Sequence, residues 1–283
     1  MPTYLEWDQQ ALEQCYDVVD AISLHRYYNN TSETGGDTRH YLAMNLTMDR
    51  QIEEIQAVCD IVRGHHRTNK VLYLSFDEWN VWYRARNGDG EKKVAPHLTE
   101  EVYNLEDALL VGGLINSLLR HSDRVKVACL AQLVNALAAL LTNDKMVLKQ
   151  TIFYPYEWAL QNCRGDVLRV EAQSPTYEVE RLGQVPYLDV AATREPESGK
   201  VCLLVLNRDL DKSRQFEVNW RGGAPSRVLT SQVITGPDLK ATNTFDNPNK
   251  VVPAKLDPPQ LKGDRTVIEV PAKSYSLFVL ATP

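Results

Sequence analysis

A carboxylate pair, Asp77-Glu78, closes an apolar run and is followed at once by aromatics in the stretch Val71-Leu-Tyr-Leu-Ser-Phe-Asp-Glu-Trp-Asn-Val-Trp-Tyr83. A carboxylate delivered by a buried segment into such surroundings suits a nucleophile or an acid/base. Trp79, Trp82 and Tyr83 offer flat surfaces that match the apolar faces of a sugar ring, and Asn80 offers a neutral donor and acceptor for hydroxyls. The plainer reading is a solvated Asp-Glu pair just past an edge strand, with the tryptophans as ordinary core. Composition alone favours that reading, because most carboxylates are solvated.

Such groups need elements to position them. Strand side chains repeat every two residues, so Leu72, Leu74, Phe76 and Glu78 are expected on one face and Tyr73, Ser75 and Asp77 on the other. Parallel α/β barrels bury their strands on both sides and carry catalytic groups at the strands' carboxyl ends, which is the setting this pattern fits. By the same logic Ala21-Ile-Ser-Leu24 leads to His25 and Tyr27, two apart on one strand face, and Val127-Ala-Cys-Leu-Ala131 leads to Gln132. The plain alternatives are a satisfied core or surface histidine and a buried amide held by backbone.

Three strands are therefore expected, ending near His25, Glu78 and Gln132. Between the first two, residues 49–62 carry Ile52, Ile55, Cys59 and Val62 at helical spacing, with Asp49 as the cap. Arg63-Gly-His-His-Arg-Thr-Asn-Lys70 reads as that helix's cationic end. A longer helix is expected to open at Thr99, with Glu100 and Glu101 in its first turn and Arg120 and His121 in its last. Its inward stripe would be Val102, Leu105, Leu109, Leu110, Gly113, Leu114 and Leu118, and another helix is expected over 133–141.

After Gly165 the texture changes to short alternating runs at 187–193, 201–206, 216–220, 228–234, 267–270 and 275–280. Turn formers separate them, as in Asn207-Arg-Asp209, Gly236-Pro-Asp238 and Asp257-Pro-Pro259. That spacing predicts an antiparallel sandwich.

Composition narrows the function classes. The 283 residues are 43% hydrophobic and 24% charged, and 31 basic against 37 acidic residues give a net charge of −6. No basic face results, so nucleic acid is not an expected partner. The most apolar segment, 129–141, is interrupted by Gln132 and Asn135 and falls short of the roughly 20 residues a bilayer requires, so no membrane partner is expected. The five cysteines are scattered, odd in number and never spaced Cys-x-x-Cys, which suits reduced thiols of a cytoplasmic protein. His65, His66, His25 and His40 lack ligand spacing with carboxylates or cysteines, so no metal and no cofactor is expected.

The words FDEWNVWYR, DAISLHRYY at 20–28, the segment 95–135, LKQTIFYPYEW at 148–158, LLVLNRDL at 203–210 and 229–248 together resemble the α-L-arabinofuranosidases of glycoside hydrolase family 51. The resemblance runs from Pro2 to the closing SYSLFVLAT and implies a retaining enzyme that removes terminal arabinofuranosyl groups from arabinan, arabinoxylan or their oligosaccharides. It implies Glu78 as nucleophile, with His25, Tyr27, Trp82 and Gln132 lining the sugar site and Tyr27 contacting the nucleophile. It also implies a fold: the last strands and helices of an incomplete (β/α)8 TIM-type barrel over 1–160, then a jelly-roll-like antiparallel β-sandwich over 161–283.

The family's acid/base glutamate lies in a Gly-Asn-Glu motif, which these 283 residues do not contain. Met1 resembles an internal position of longer relatives, so a C-terminal portion is expected. Retaining hydrolysis needs two carboxyls about 5–5.5 Å apart. Asp77, expected on the opposite strand face, is a poor substitute, and Glu6 and Glu157 are expected to be structural. A complementing N-terminal barrel fragment or a homo-oligomer is the expected protein partner. Two alternatives stay open: a non-catalytic fragment that at most binds carbohydrate, and a related glycosidase such as a β-xylosidase or endoglucanase.

Overall fold

The computed structural model describes residues 4–82 and 99–282. Tyr83 and the first residues of the segment 95–135 lie outside the described residues. The order begins α1 (Glu6–Cys15), β1 (Ala21–Tyr28), α2 (Thr38–Tyr41), α3 (Asn45–His66), β2 (Tyr73–Val81), α4 (Leu105–Arg120) and β3 (Val125–Leu130). β1, β2 and β3 form one parallel sheet in that order, with β2 central and α3 and α4 as the crossovers.

The reason for α3 is its stripe. Met48, Ile52, Ile55, Cys59 and Val62 recur every three or four residues and are all buried in the main core with Leu24, Leu72, Leu74 and Phe76. Each such aliphatic contributes about 1.5–3 kcal/mol when fully withdrawn from water. The helix opens at Asn45, earlier than the expected Asp49, because Asp49 is engaged by Arg120 at 3.0 Å and His121 at 3.1 Å. Its end falls at His66, where Arg67 turns left-handed at φ 50°.

α4 opens six residues later than expected. Asn104 Oδ1 accepts from the Asp107 amide and Asp107 Oδ2 accepts from the Asn104 amide, a reciprocal box that satisfies two donors. The acids of its first turn are Glu106 and Asp107, and Val102 lies outside the helix, 44% exposed. The rest of the expected stripe is buried. The helix expected over 133–141 is absent: Asn135 and Leu137 take positive φ values of 63° and 47°, and β4 (Leu140–Thr142) pairs with β5 (Val147–Lys149) as a hairpin.

α5 (Phe153–Asn162) is the last helix among the described residues; strands follow. They include β6 (Asp166–Val167), the small hairpin β7 (Thr176–Val179) and β8 (Gly183–Pro186), then β9 (Leu188–Glu195), β10 (Lys200–Asn207), β11 (Arg214–Asn219) and β12 (Arg227–Ile234). β13 (Ala254–Lys255), β14 (Gln260–Lys262), β15 (Arg265–Val270) and β16 (Ser274–Ala281) complete the order. A six-stranded sheet, β13-β12-β16-β10-β9-β6, faces a three-stranded one, β11-β15-β14.

Strand alternation makes the larger sheet a wall between two cores. Val201, Leu203 and Val205 of β10 join Phe278 and Leu280 of β16 against Ile268 and Val270 of the smaller sheet. Cys202, Leu204 and Leu206, with Tyr275, Leu277 and Val279, face the main core that contains α4. α4 comes close enough that a Cβ on Gly112 would lie 2.6 Å from the Tyr275 ring.

Asp189 of β9 sits at this junction. It meets Arg120 at 2.8 Å, Arg208 at 2.9 Å, Asn116 at 2.8 Å and Asn45 at 3.1 Å. The Asn207-Arg-Asp209 stretch turns the chain out of β10, with the Asp209 amide donating to Asn207 Oδ1, and also buries Arg208 completely in this cluster.

Candidate active site

Because β1, β2 and β3 are parallel, their carboxyl ends share one edge. Ala21, Ser23 and His25 alternate onto the exposed face of β1, while Leu24 and Tyr28 enter the core. The pairing sets Ser23 against Ser75 and then His25 against Glu78, so two steps along β1 match three along β2. On the other side Phe76 faces Ala128 and Trp79 faces Leu130, again three steps against two. β2 thus carries one extra residue around Asp77-Glu78, a bulge that re-aims side chains.

The bulge corrects the expected faces. Leu72, Leu74 and Phe76 are fully buried, but Glu78 does not follow them. It turns out beside Asp77, and the His25 ring lies between the two, with Nδ1 3.5 Å from Glu78 Oε2 and Nε2 3.6 Å from Asp77 Oδ1. The side chains of His25, Asp77 and Glu78 are 50%, 42% and 46% exposed, so the site is open to a ligand from solvent.

Tyr27 donates its hydroxyl proton to Glu78 Oε2 at 2.9 Å, and its ring meets Trp82 edge-on at 5.3 Å. Oε2 is therefore the held oxygen of Glu78, and Oε1 accepts no hydrogen bond from the described residues. A carboxylate fixed through one oxygen presents the other in a defined direction, which is what attack on an electrophilic carbon requires.

Gln132 lies on the same edge. Ala131 donates its amide to Trp79 O at 3.2 Å, Gln132 donates its own to Leu137 O at 3.0 Å, and the Gln132 side chain is exposed. No hydrogen bond links its amide to Glu78, His25, Tyr27 or Trp82 among the described residues.

Asn80 is a correction. It is fully buried, donating to Ala131 O at 2.8 Å and Leu137 O at 2.7 Å and accepting from the Val81 amide at 2.8 Å. Both its amide protons go into fastening the loop that carries Gln132, and full burial keeps its oxygen from a sugar hydroxyl. Trp79 is likewise core, 1% exposed and packed at 6.2 Å from the Tyr156 ring. Glu157 pairs with Lys149 at 3.3 Å.

Sequence reasoning missed Ser23. Its hydroxyl donates to Asp77 Oδ1 at 2.7 Å and its oxygen lies 3.3 Å from His25 Nε2. The alternation that placed His25 on an exposed face places Ser23 there as well, but the pairing of Ser23 with Ser75, which sets Asp77 beside it, leaves no trace in periodicity.

Residues 77–274 match the model of the α-L-arabinofuranosidase C-terminal domain. The chain is 40% identical to an intracellular exo-α-(1→5)-L-arabinofuranosidase of Halalkalibacterium halodurans over 86% of its length and 49% of that protein's. A counterpart of the same description from Bacillus subtilis is also 40% identical, over 89% of this chain and 50% of the relative. A solved family 51 α-L-arabinofuranosidase from Bifidobacterium longum superimposes with TM-score 0.91 at 30% identity, covering 99% of this chain and 56% of that one. The chain thus spans about half the length of the relatives it matches. On this match of sequence and fold, the chain belongs to the α-L-arabinofuranosidases of glycoside hydrolase family 51 and corresponds to their C-terminal portion.

Proposed function

We propose that this chain carries the nucleophile's half of a retaining α-L-arabinofuranosidase active site, with Glu78 as the nucleophile. The observation that carries the reading is the Tyr27 hydroxyl held on Glu78 Oε2 at 2.9 Å at the carboxyl edge of three parallel strands. In the reaction Oε1 attacks the anomeric carbon, the glycosidic bond breaks, and the leaving oxygen takes a proton; water then opens the glycosyl ester. Trp82 supplies a ring face for the sugar and Gln132 an amide for its hydroxyls. Terminal arabinofuranosyl groups of arabinan or arabinoxylan oligosaccharides are the substrates, in keeping with the relatives' names, and the same names support an intracellular setting.

The proton donor is the missing part. Asp77, at the other end of the His25 ring, shares the bulge with the nucleophile and does not stand across a sugar from it. The reading therefore assigns the acid/base to polypeptide outside these 283 residues, and it assigns residues 1–160 to the last strands and helices of a (β/α)8 barrel and 161–283 to the appended β-sandwich. Both outer strands of the parallel sheet support this. Among the described residues β1 and β3 each pair on one side only, and β3 exposes Lys126 to Cys129 in a row. Open edges of that kind take up further strands.

The test is hydrolysis of 4-nitrophenyl α-L-arabinofuranoside by the purified chain, alone and mixed with the N-terminal half of a relative, with Glu78→Ala as control. Turnover that appears on mixing and disappears in Glu78→Ala is the expected result. Turnover unchanged in Glu78→Ala would sink the assignment. The open edges also favour a second reading, a non-catalytic piece that associates through them; it predicts complex formation on mixing without turnover.

A further inference from the structure

Ser23 precedes His25 by two residues on the exposed face of β1 and pairs with Ser75 of β2, whose face Asp77 shares by alternation. The His25 Nε2 to Asp77 Oδ1 distance of 3.6 Å is too long for a direct hydrogen bond, but Ser23 Oγ lies between, 2.7 Å from Asp77 and 3.3 Å from Nε2. A hydroxyl has one proton, and a carboxylate only accepts. With its proton committed to Asp77, the Ser23 oxygen is left to accept, so Nε2 must be the nitrogen that donates.

We propose that Ser23 and Asp77 are a positioning pair that fixes the ring proton of His25 on Nε2. Nδ1, 3.5 Å from Glu78 Oε2, then becomes the nitrogen through which His25 takes up and releases a proton. A proton gained there stands beside the held oxygen of Glu78, which already accepts from Tyr27. With Tyr27 and a cationic ring both on its Oε2 side, Glu78 keeps Oε1 for the anomeric carbon. The catalytic meaning of this pair rests on reading Glu78 as the nucleophile, whereas the proton's location rests on side-chain geometry alone. Ser23 and Asp77 act only through His25.

Nitrogen-15 NMR of the histidine-labelled chain reads the tautomer directly, because protonated and bare ring nitrogens resonate far apart; His25→Gln identifies the signal. At a pH where the ring is neutral, the wild-type spectrum is expected to show Nε2 protonated. In Asp77→Asn the amide donates to Ser23 Oγ, the hydroxyl proton swings to Nε2, and the majority tautomer becomes the Nδ1 form. Ser23→Ala removes the link and is expected to give a mixture. A wild-type ring protonated on Nδ1 overturns the proposal, as does an Asp77→Asn ring with unchanged tautomer. Should a variant fail to fold, the wild-type spectrum decides. The hydrolysis assay with Glu78→Ala tests the nucleophile reading separately. An Nε2 tautomer with activity indifferent to Glu78 overturns the nucleophile and leaves the pair; Glu78-dependent activity with an Nδ1 tautomer does the reverse.

Discussion

The side chains of the site divide by what they can still offer a ligand. Glu78 keeps a free oxygen because Tyr27 occupies only the other. A hydrogen bond to a charged group is worth about 1.5–3 kcal/mol, so Tyr27→Phe is expected to lower turnover roughly 10- to 100-fold in the assembly that hydrolyses the nitrophenyl arabinofuranoside. Asn80 keeps nothing. Asn80→Ala strands the Ala131 carbonyl in a buried place, while Leu137 O keeps the Gln132 amide, and a loss of about 1–3 kcal/mol in urea unfolding is expected. Residue type and an apolar lead-in made Glu78, His25, Tyr27 and Trp82 candidates, and only the family resemblance raised them above the plain readings. Asn80, equally suited by type, was misjudged because its partners lie on the loop after β3, fifty residues away. Neither type nor period records such a contact.

At the level of elements, the errors share a cause: a local signal that lost to a tertiary one. Glu100 and Glu101 look like first-turn acids, yet the capping box at Asn104 and Asp107 sets the start of α4. Removing it with Asn104→Ala is expected to cost about 1 kcal/mol, measurable as a lowered thermal midpoint. The apolar run over 133–141 has helical composition, but it is drawn into a loop and hairpin pinned by Asn80 and by Gln150, which donates to Ala138 O at 2.8 Å. The six longer strands after Gly165 lie within a residue or two of the expected ends, because a two-residue period bounded by turn formers is a strong local signal, whereas the short β6, β7, β8, β13 and β14 were not expected. β2 is the exception. Its bulge is a matter of register with β1 and β3, and it turns Glu78 onto the face that Asp77 already holds.

For the whole molecule, the wall of β16, β10 and β9 and the Asp189 cluster join the parallel sheet's helices to the sandwich. Burial by itself would raise the Asp189 carboxyl, but the Arg120 and Arg208 charges outweigh it and hold the group well below the usual carboxylate range. Asp189→Asn leaves two guanidinium groups short of their counter-charge, and a loss of about 3–5 kcal/mol is expected. A depressed folded-state pKa means that the stabilisation is complete above the unfolded value, about 4. It fades as pH falls further, so the gap between wild type and Asp189→Asn in unfolding midpoints should narrow below that pH. The open edge of β3 gives another check. Cys129 is exposed, whereas burial pushes the Cys59 thiol up to about 11 and both contact with Cys163 and burial raise the Cys202 thiol. Cys129 should react first with a thiol reagent and become protected when a complementing barrel half docks on β3.

Sequence by itself determined what is local: the strand and helix periods, the change of texture after Gly165, and the family motifs that make Glu78 a candidate with His25, Tyr27 and Trp82. It could do so because alternation, capping residues and turn formers act over a few positions. Tertiary structure alone decided what depends on register and on distant partners. These are the extra residue in β2 that turns Glu78 to join Asp77 on one histidine, the commitment of Asn80 to a loop, and the burial of Arg208 against Asp189. Pairing between strands fifty residues apart is a three-dimensional choice made by packing, and the order of residues along one strand does not contain it.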